Sequence, residues 1–428
     1  MILVAALITG IAGCSSKVSP TAQSGSPSKD TTKDVSGKIE FMTYRDDLLL
    51  SWYPDALKEF NKKYPNVTIT TSTSKNFAQD LNIRMSANNV PDVVTVTGDS
   101  LSDAQRTQNF LPLDDVFPDL VKAWQYNAAN TNQDDKKTYA LTYGGQGIGL
   151  AYNKKIFSKL GLTPPKTLDA LISAAKTIKN SGAGMIGFAG VLKVQWISQA
   201  YTLEAQALMA DQQKTYADML KSDTPFTMDS VWGQMAQIYT KLCGAGIMED
   251  DPASMDWEPY LKLCGTGKVG MTLTWSNTPV NWPGRGDGSV ALSDIGYIPF
   301  PYDNSGGPYK TIMMADWGLA ISKSSKNMDA AKAFFQWHMN DKYGAYVDSN
   351  ATISARKDIV TNIDYLKEFY QSSNPIIVTA EKTPAAFKTQ LDKCQMTIYN
   401  EFTLIALGTP IQTEFDKMNA AWKTAKGQ

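Results

Sequence analysis

Ile39-x-Phe41-x-Thr43 alternates apolar and polar positions as a half-buried strand does, and Val67-x-Ile69-x-Thr71 repeats the pattern. Between them Trp52, Ala56, Phe60 and Tyr64 recur at helical spacing, with Pro54 near the first turn and Pro65-Asn66 as the stop. The run Tyr44-Arg45-Asp46-Asp47 predicts a polar loop between strand and helix. A second helix is expected over about Phe77 to Ala87. Pro91-Asp92 then leads into the strand Val93-Val94-Thr95-Val96, which ends at Gly98-Asp99-Ser100. A strand–helix–strand–helix–strand order implies parallel pairing with helices covering the sheet.

From Tyr139 to Asn153 the chain reads as one long strand in which Gly145, Gly147 and Gly149 flank Gln146 and Ile148. Glycines weaken an ordinary core strand, so this one is expected to cross between lobes where the backbone must flex. Thr167 caps a helix with Leu168, Leu171, Ala175 and Ile178 inward, and Val231, Met235, Ile238 and Leu242 mark another. Val269, Met271 and Leu273 return to strand periodicity. Ile295 to Pro299 predicts a second crossover, and Gly318 to Ile321 with a helix from Asn327 goes back to the first lobe. Near the C-terminus Phe387, Leu391, Cys394, Ile398, Phe402 and Ile405 form one helical stripe, and Ile411, Phe415, Met418 and Trp422 form a second.

A chain of 428 residues, 43% of them hydrophobic, has room for about two or three domains, each with its own core. Lys plus Arg number 41 and Asp plus Glu 42, a balance that argues against nucleic acid as a partner. His338 is the single histidine and sits in the apolar stripe of Ala331, Phe334 and Phe335, which predicts a core position. That scarcity lowers the prospects for acid–base catalysis. Cys243, Cys264 and Cys394 show no metal-like spacing, and neither metal nor cofactor is expected. A Cys243–Cys264 disulfide and separate buried thiols both remain open.

Cys14 follows Ile11-Ala12-Gly13 at the end of an apolar segment from Met1. Small residues before a cysteine at the end of such a segment mark a lipoprotein processing site, with the thiol acylated. Thirteen helical residues reach only about 20 Å, short of the ~30 Å hydrocarbon core, so the segment does not span a bilayer. It lacks the Lys or Arg usual at the start of a secretory signal, which places the native start upstream of Met1 or implies clipping. The expected organisation is a signal peptide at 1–13 and a flexible tether at 14–37, rich in Ser, Thr, Pro and Lys and without aromatics. The product is then extracytoplasmic and held on the cell membrane by its lipid.

In order along the chain stand Phe60-Asn61-Lys62-Lys63-Tyr64-Pro65-Asn66, Pro91-Asp92-Val93-Val94, Tyr152-Asn153-Lys154 and Leu162-Thr163-Pro164-Pro165-Lys166-Thr167. Gly267-Lys268-Val269-Gly270-Met271-Thr272, Ile298-Pro299-Phe300-Pro301 and Ala320-Ile321-Ser322-Lys323 follow. This ordered set resembles the bacterial extracellular solute-binding proteins of family 1, the maltose/oligosaccharide type, from Lys38 to Lys426. The resemblance implies an α/β, two-lobed periplasmic-binding-protein-like fold of type II. Each lobe is then a mainly parallel sheet covered by helices, with the ligand in the cleft between them. Residues 38–145 plus 300–350 would form one lobe and 146–299 plus 351–428 the other. It further implies a binding protein and no enzyme: an ABC importer component, expected as a monomer, that closes on its ligand by a hinge and delivers it to permease subunits.

Carbohydrate is the expected ligand, because sugars offer apolar C–H faces to aromatic rings and hydroxyls to polar forks. Of the 10 tryptophans, Trp52, Trp232, Trp337 and Trp422 lie on helical stripes and read as core. Trp275 and Trp317 lie in polar loops and read as ligand contacts, with Trp196 and Trp282 balanced between contact and packing. The family likeness adds Asp46 and Asp99, each at a strand end where sugar-binding members carry a hydroxyl-gripping carboxylate; a helix N-cap is the competing role for both. Gln146 falls where maltodextrin binders often carry Glu, a departure that disfavours maltose. Tyr44 and Asn277 complete the candidate set, while Arg45 has a surface role as its alternative. The rival functions are a glycoside hydrolase built on paired carboxylates and a binder of a non-sugar solute.

Overall fold

The computed structural model describes residues 34–97, 101–127, 130–372 and 374–427. The proposed signal, Cys14 and Asp99 lie outside the described residues. Among the described residues eleven strands run β1 Ser36–Met42, β2 Asn66–Ser72, β3 Val93–Val96, β4 Leu141–Thr142, β5 Gly145–Asn153, β6 Ile186–Ala189, β7 Val269–Trp275, β8 Ile295–Ile298, β9 Lys310–Ala315, β10 Gly318–Ile321 and β11 Ile376–Thr379. They make two sheets, one of five strands in the order β2-β1-β3-β10-β4 and one of six, β11-β9-β5-β7-β6 with β8 beside β5.

In the first sheet β1 pairs parallel with β2 and β3, and β10 alone runs against its neighbours. The strand alternation read from sequence sorts its side chains onto two faces. Phe41, Val93, Leu319 and Ile321 join a core that includes Phe60 and Phe334, while Met42, Val94 and Ala320 join Phe77, Leu81 and Met85 on the other side. Phe41 packs 5.2 Å from the ring of Tyr53 and 5.0 Å from that of Phe334, so helices Tyr53–Lys63 and Met328–Gln336 cover one face. His338 is fully buried there, its Nε2 2.9 Å from the Tyr53 hydroxyl, and burial pushes its pKa down to about 3.

The second sheet is also directional, with β5 as the one reversed strand: it pairs antiparallel with β7, β8 and β9, while β6 and β11 run parallel to their neighbours. Its main core gathers Ile148, Leu150, Met271 and Leu273 with helices Gln195–Leu208, Val231–Cys243 and the C-terminal Phe402, Phe415 and Trp422. Trp232, Trp337 and Trp422 are buried, and so is Trp282, for which packing wins over ligand contact. Cys243, Cys264 and Cys394 are free thiols, so no disulfide joins the first two. Among the described residues no helix is long and apolar enough to cross a membrane.

The chain crosses between sheets at β4–β5 as expected, where Leu141 and Thr142 lie in one sheet and Gly145 onward in the other. The glycines of β5 answer to close packing. A Cβ on Gly149 would stand 2.8 Å from the Tyr297 ring and from the Ile298 carbonyl oxygen, and the Tyr297 hydroxyl donates to the Gly147 carbonyl at 3.0 Å. The return crossing is not at Pro299. β8 and β9 both stay in the second sheet, and the chain goes back at Asp316-Trp317, between β9 and β10. Residues 310–315, grouped by sequence with the first lobe, therefore pair in the second sheet. A third passage follows helix Tyr343–Asn350, where Gly145 and Ile353 exchange backbone hydrogen bonds of 2.7 and 3.0 Å. Asp316 N–H donates to the Gly144 carbonyl at 2.8 Å, so all three passages are tied together.

Two boundaries differ from the sequence expectation. Asp46 opens a short helix, Asp46–Leu50, where a loop is predicted. The C-terminal stripe splits into Ala385–Lys393 and Ile398–Ala406, because Gln395 between them takes a left-handed φ of 51° that a continuous helix cannot hold.

Candidate functional site

A cleft of about 910 Å³ opens where the crossing segments meet, lined from both lobes. Its first wall starts at the end of β1. The Tyr44 N–H donates to Thr95 Oγ1 at 3.1 Å, fixing the residue at the carboxyl edge of the parallel strands. Its ring stacks on Trp317 with centroids 4.1 Å apart and planes 21° from parallel, and Phe77 meets Trp317 edge-on at 5.3 Å. Arg45 follows, half-buried rather than a plain surface residue, with Nη2 donating to Asn350 Oδ1 at 2.7 Å.

Asp316 is the polar centre. Its Oδ1 accepts from the Tyr44 hydroxyl at 3.2 Å and from the Trp317 N–H at 2.8 Å, and its Oδ2 accepts from Gln146 Nε2 at 3.2 Å. Gln146 Oε1 in turn accepts from Ser276 Oγ at 3.3 Å. A continuous hydrogen-bonded line, Tyr44–Asp316–Gln146–Ser276, thus runs across the cleft floor from one lobe to the other. Burial raises the Asp316 carboxyl above its usual range, opposed by the Arg45 charge and by the donors around it. The same burial pushes the Tyr44 phenol well up, so it stays a neutral donor. A carboxylate has about four lone-pair sites, and with three donors in place Asp316 keeps capacity at Oδ2 for one more, such as a ligand hydroxyl.

The second wall is aromatic. Trp275 ends β7, and its indole N–H donates to the Trp196 carbonyl at 2.8 Å. Trp196 lies on helix Gln195–Leu208, not in a loop, and is 40% exposed. Trp257 packs edge-to-face with it at 4.7 Å and 65°. Asn277, Asn281 and Arg285 complete this side.

Of the residues singled out by sequence, Tyr44, Gln146, Trp196, Trp275, Asn277 and Trp317 all line this cleft. Asp46 is not among the lining residues: it is exposed, at the first position of helix Asp46–Leu50. Sequence reasoning missed Asp316, which stands beside Trp317 in a loop with no periodicity to mark it. It also missed Trp257, masked as the first residue of a helix capped by Asp256. Among the described residues the cleft lining holds one carboxylate, Asp316, and no cluster fit for a metal ion occurs.

Two α/β lobes, three tied crossings and a cleft lined with rings and one central carboxylate define a solute-binding protein of the two-lobed class. The sequence profile of the bacterial extracellular solute-binding proteins matches residues 46–345, and the chain belongs to that family. It is 24% identical over 332 residues to the melibiose/raffinose/stachyose-binding protein MelE of Bacillus subtilis, covering 73% of each chain. Its fold is similar to that of an ABC-transporter binding protein from Bifidobacterium animalis subsp. lactis in complex with mannobiose, with a TM-score of 0.73 and 21% identity over 92% of this chain and 96% of that one. It is also similar to a Bacillus licheniformis sugar transporter protein in complex with stachyose, with a TM-score of 0.67 and 20% identity over 91% and 100%.

Proposed function

We propose that this protein is the substrate-binding component of an ABC importer and captures an oligosaccharide in the cleft between its lobes. The observation that carries the reading is the pairing of stacked or exposed rings on both walls with a carboxylate between them that keeps one acceptor position open. Trp317 and Trp275 offer flat apolar faces to sugar C–H groups, with Tyr44 stacked behind Trp317. Asp316, Gln146 and Asn277 grip hydroxyls by charge-assisted or neutral hydrogen bonds. The relatives named above are described as binding melibiose, raffinose and stachyose, or carry mannobiose or stachyose in their structures, which supports the same ligand class.

In this reading the lobes swing about the three crossings, and the closed form is handed as a monomer to permease subunits. Residues 1–13 act as a signal, and acylated Cys14 anchors the 14–37 tether in the membrane. A thermal-shift screen with melibiose, raffinose, stachyose, mannobiose and mannotriose tests the ligand class. A ligand at a thousandfold its Kd adds ~4 kcal/mol to the native state, enough to raise the melting temperature by several degrees. Recovery of the sugar intact is expected; reducing ends released in proportion to protein would point to a hydrolase. Expressed in a bacterium with its native signal, the wild type should partition into detergent and Cys14→Ala should not.

A further inference from the structure

We propose that Trp257 forms an outer stacking position that sets the length of sugar the cleft prefers, admitting a further ring beyond the one held at Asp316. This rests on the carbohydrate reading above. The aromatic wall of the second lobe runs in a chain, from Trp275 through its hydrogen bond to the Trp196 backbone, then ring to ring from Trp196 to Trp257. Its inner end adjoins Gln146 and Ser276 at the crossings; its outer end reaches Trp257 and Arg285.

Trp257 is held as a fixed surface. Its backbone N–H donates to Asp256 Oδ1 at 2.9 Å, and the other oxygen of Asp256 pairs with Lys193 at 2.7 Å, tying this helix start to the segment that leads into Trp196. On its other side Glu258 pairs with Arg285 at 3.0 Å. The ring also leans on Tyr260 at 5.8 Å. At 65° the Trp196 and Trp257 rings make a corner, which meets a sugar ring on a face and an edge at once. Trp196 beside it is 40% exposed, so a ring seated in that corner would cover apolar surface now open to water.

The cleft of about 910 Å³ lies at the upper end of the ~300–1,000 Å³ typical for small-molecule sites, more than one sugar ring occupies. A ring gripped by Asp316 and Gln146 leaves the Trp196–Trp257 corner uncovered unless the ligand continues outward.

Titration calorimetry of wild type, Trp257→Ala and Trp257→Leu compares mannobiose with mannotriose, and melibiose with raffinose and stachyose. Trp257→Leu keeps apolar volume for packing but removes the ring. In whichever series binds, the wild type should bind a longer member roughly tenfold more tightly than the disaccharide. Both variants should lose that increment while holding the disaccharide Kd within about twofold. Equal loss at every length, or none at any length, overturns the role of Trp257 and leaves the carbohydrate reading intact. A wild type that binds none of the five sugars overturns that reading and this proposal with it.

Discussion

Tyr44 lies nearly flat on Trp317, the ring centroids 4.1 Å apart, while its hydroxyl reaches the Asp316 carboxylate one residue earlier at 3.2 Å. One tyrosine therefore backs the stacking surface and tunes the polar centre of the cleft. Because one face of Trp317 is covered by Tyr44 and an edge contact comes from Phe77, a ligand has the remaining face to use. Trp317→Ala should cost ~1–3 kcal/mol of binding, roughly tenfold to a hundredfold in Kd. Were the ring simply core, the cost would fall on folding instead, at ~3–5 kcal/mol. Affinity and apo melting measured on the same variant separate the two.

Glu204, on helix Gln195–Leu208, is fully buried and neither carboxyl oxygen makes a well-formed hydrogen bond. Burial raises its pKa well above the carboxylate range, with the Ile312 backbone as the one opposing influence. A raised acid is protonated in the native state, so its cost to stability is absent below the unfolded value of about 4.3 and grows as pH rises above it. Glu204→Gln should therefore raise the melting temperature at pH 8, and the advantage should shrink as pH falls towards 4. Melting scans across that range test it; a pH-independent difference would contradict it.

His338 acts in the opposite sense. Its pKa falls to about 3 on folding, so the native state holds it neutral while the unfolded chain protonates below about 6.5. Stability should decline as pH falls from about 6.5 towards 3, by on the order of 2 kcal/mol at pH 5. His338→Phe loses the Tyr53 contact and should be less stable at pH 7, yet its acid limb should be shallower. Parallel slopes for the two proteins between pH 7 and 4 would contradict this.

The Tyr44–Asp316–Gln146–Ser276 line spans the lobes at their crossings, so a ligand hydroxyl at Asp316 touches the segment about which they would swing. Saturating ligand should shrink the radius of gyration in solution scattering. Gln146→Ala, which breaks the line, should weaken binding and reduce the change. An unchanged wild-type profile at saturation would mean a rigid site.

Periodicity made most of the fold legible. The four-residue run from Val93 to Val96 located its strand to the residue, and alternation at Ile39 and Phe41 located another that in fact begins three residues earlier, at Ser36. The Thr167 cap is observed accepting from the Ala170 N–H at 3.1 Å. What failed lacked a local signal. The short strand β8 reads equally well as a crossover, and only its antiparallel register against β5 keeps it in the second sheet. The break at Gln395 depends on a left-handed residue that no glycine announces. Trp196, Trp275 and Trp317 stood out because they interrupt polar segments, whereas Trp257, at the start of a helix, did not. Asp316 did not, since one acid among 42 acquires meaning only when the fold brings Tyr44 and Gln146 to it.

The most direct test of the carbohydrate reading is titration calorimetry of the purified protein and of Trp317→Ala with raffinose, stachyose and mannotriose. The account predicts saturable one-to-one binding of at least one of them by the wild type, weakened roughly tenfold or more in the stably folded variant. Absence of saturable binding for all three, or equal affinity in the two proteins, would contradict it.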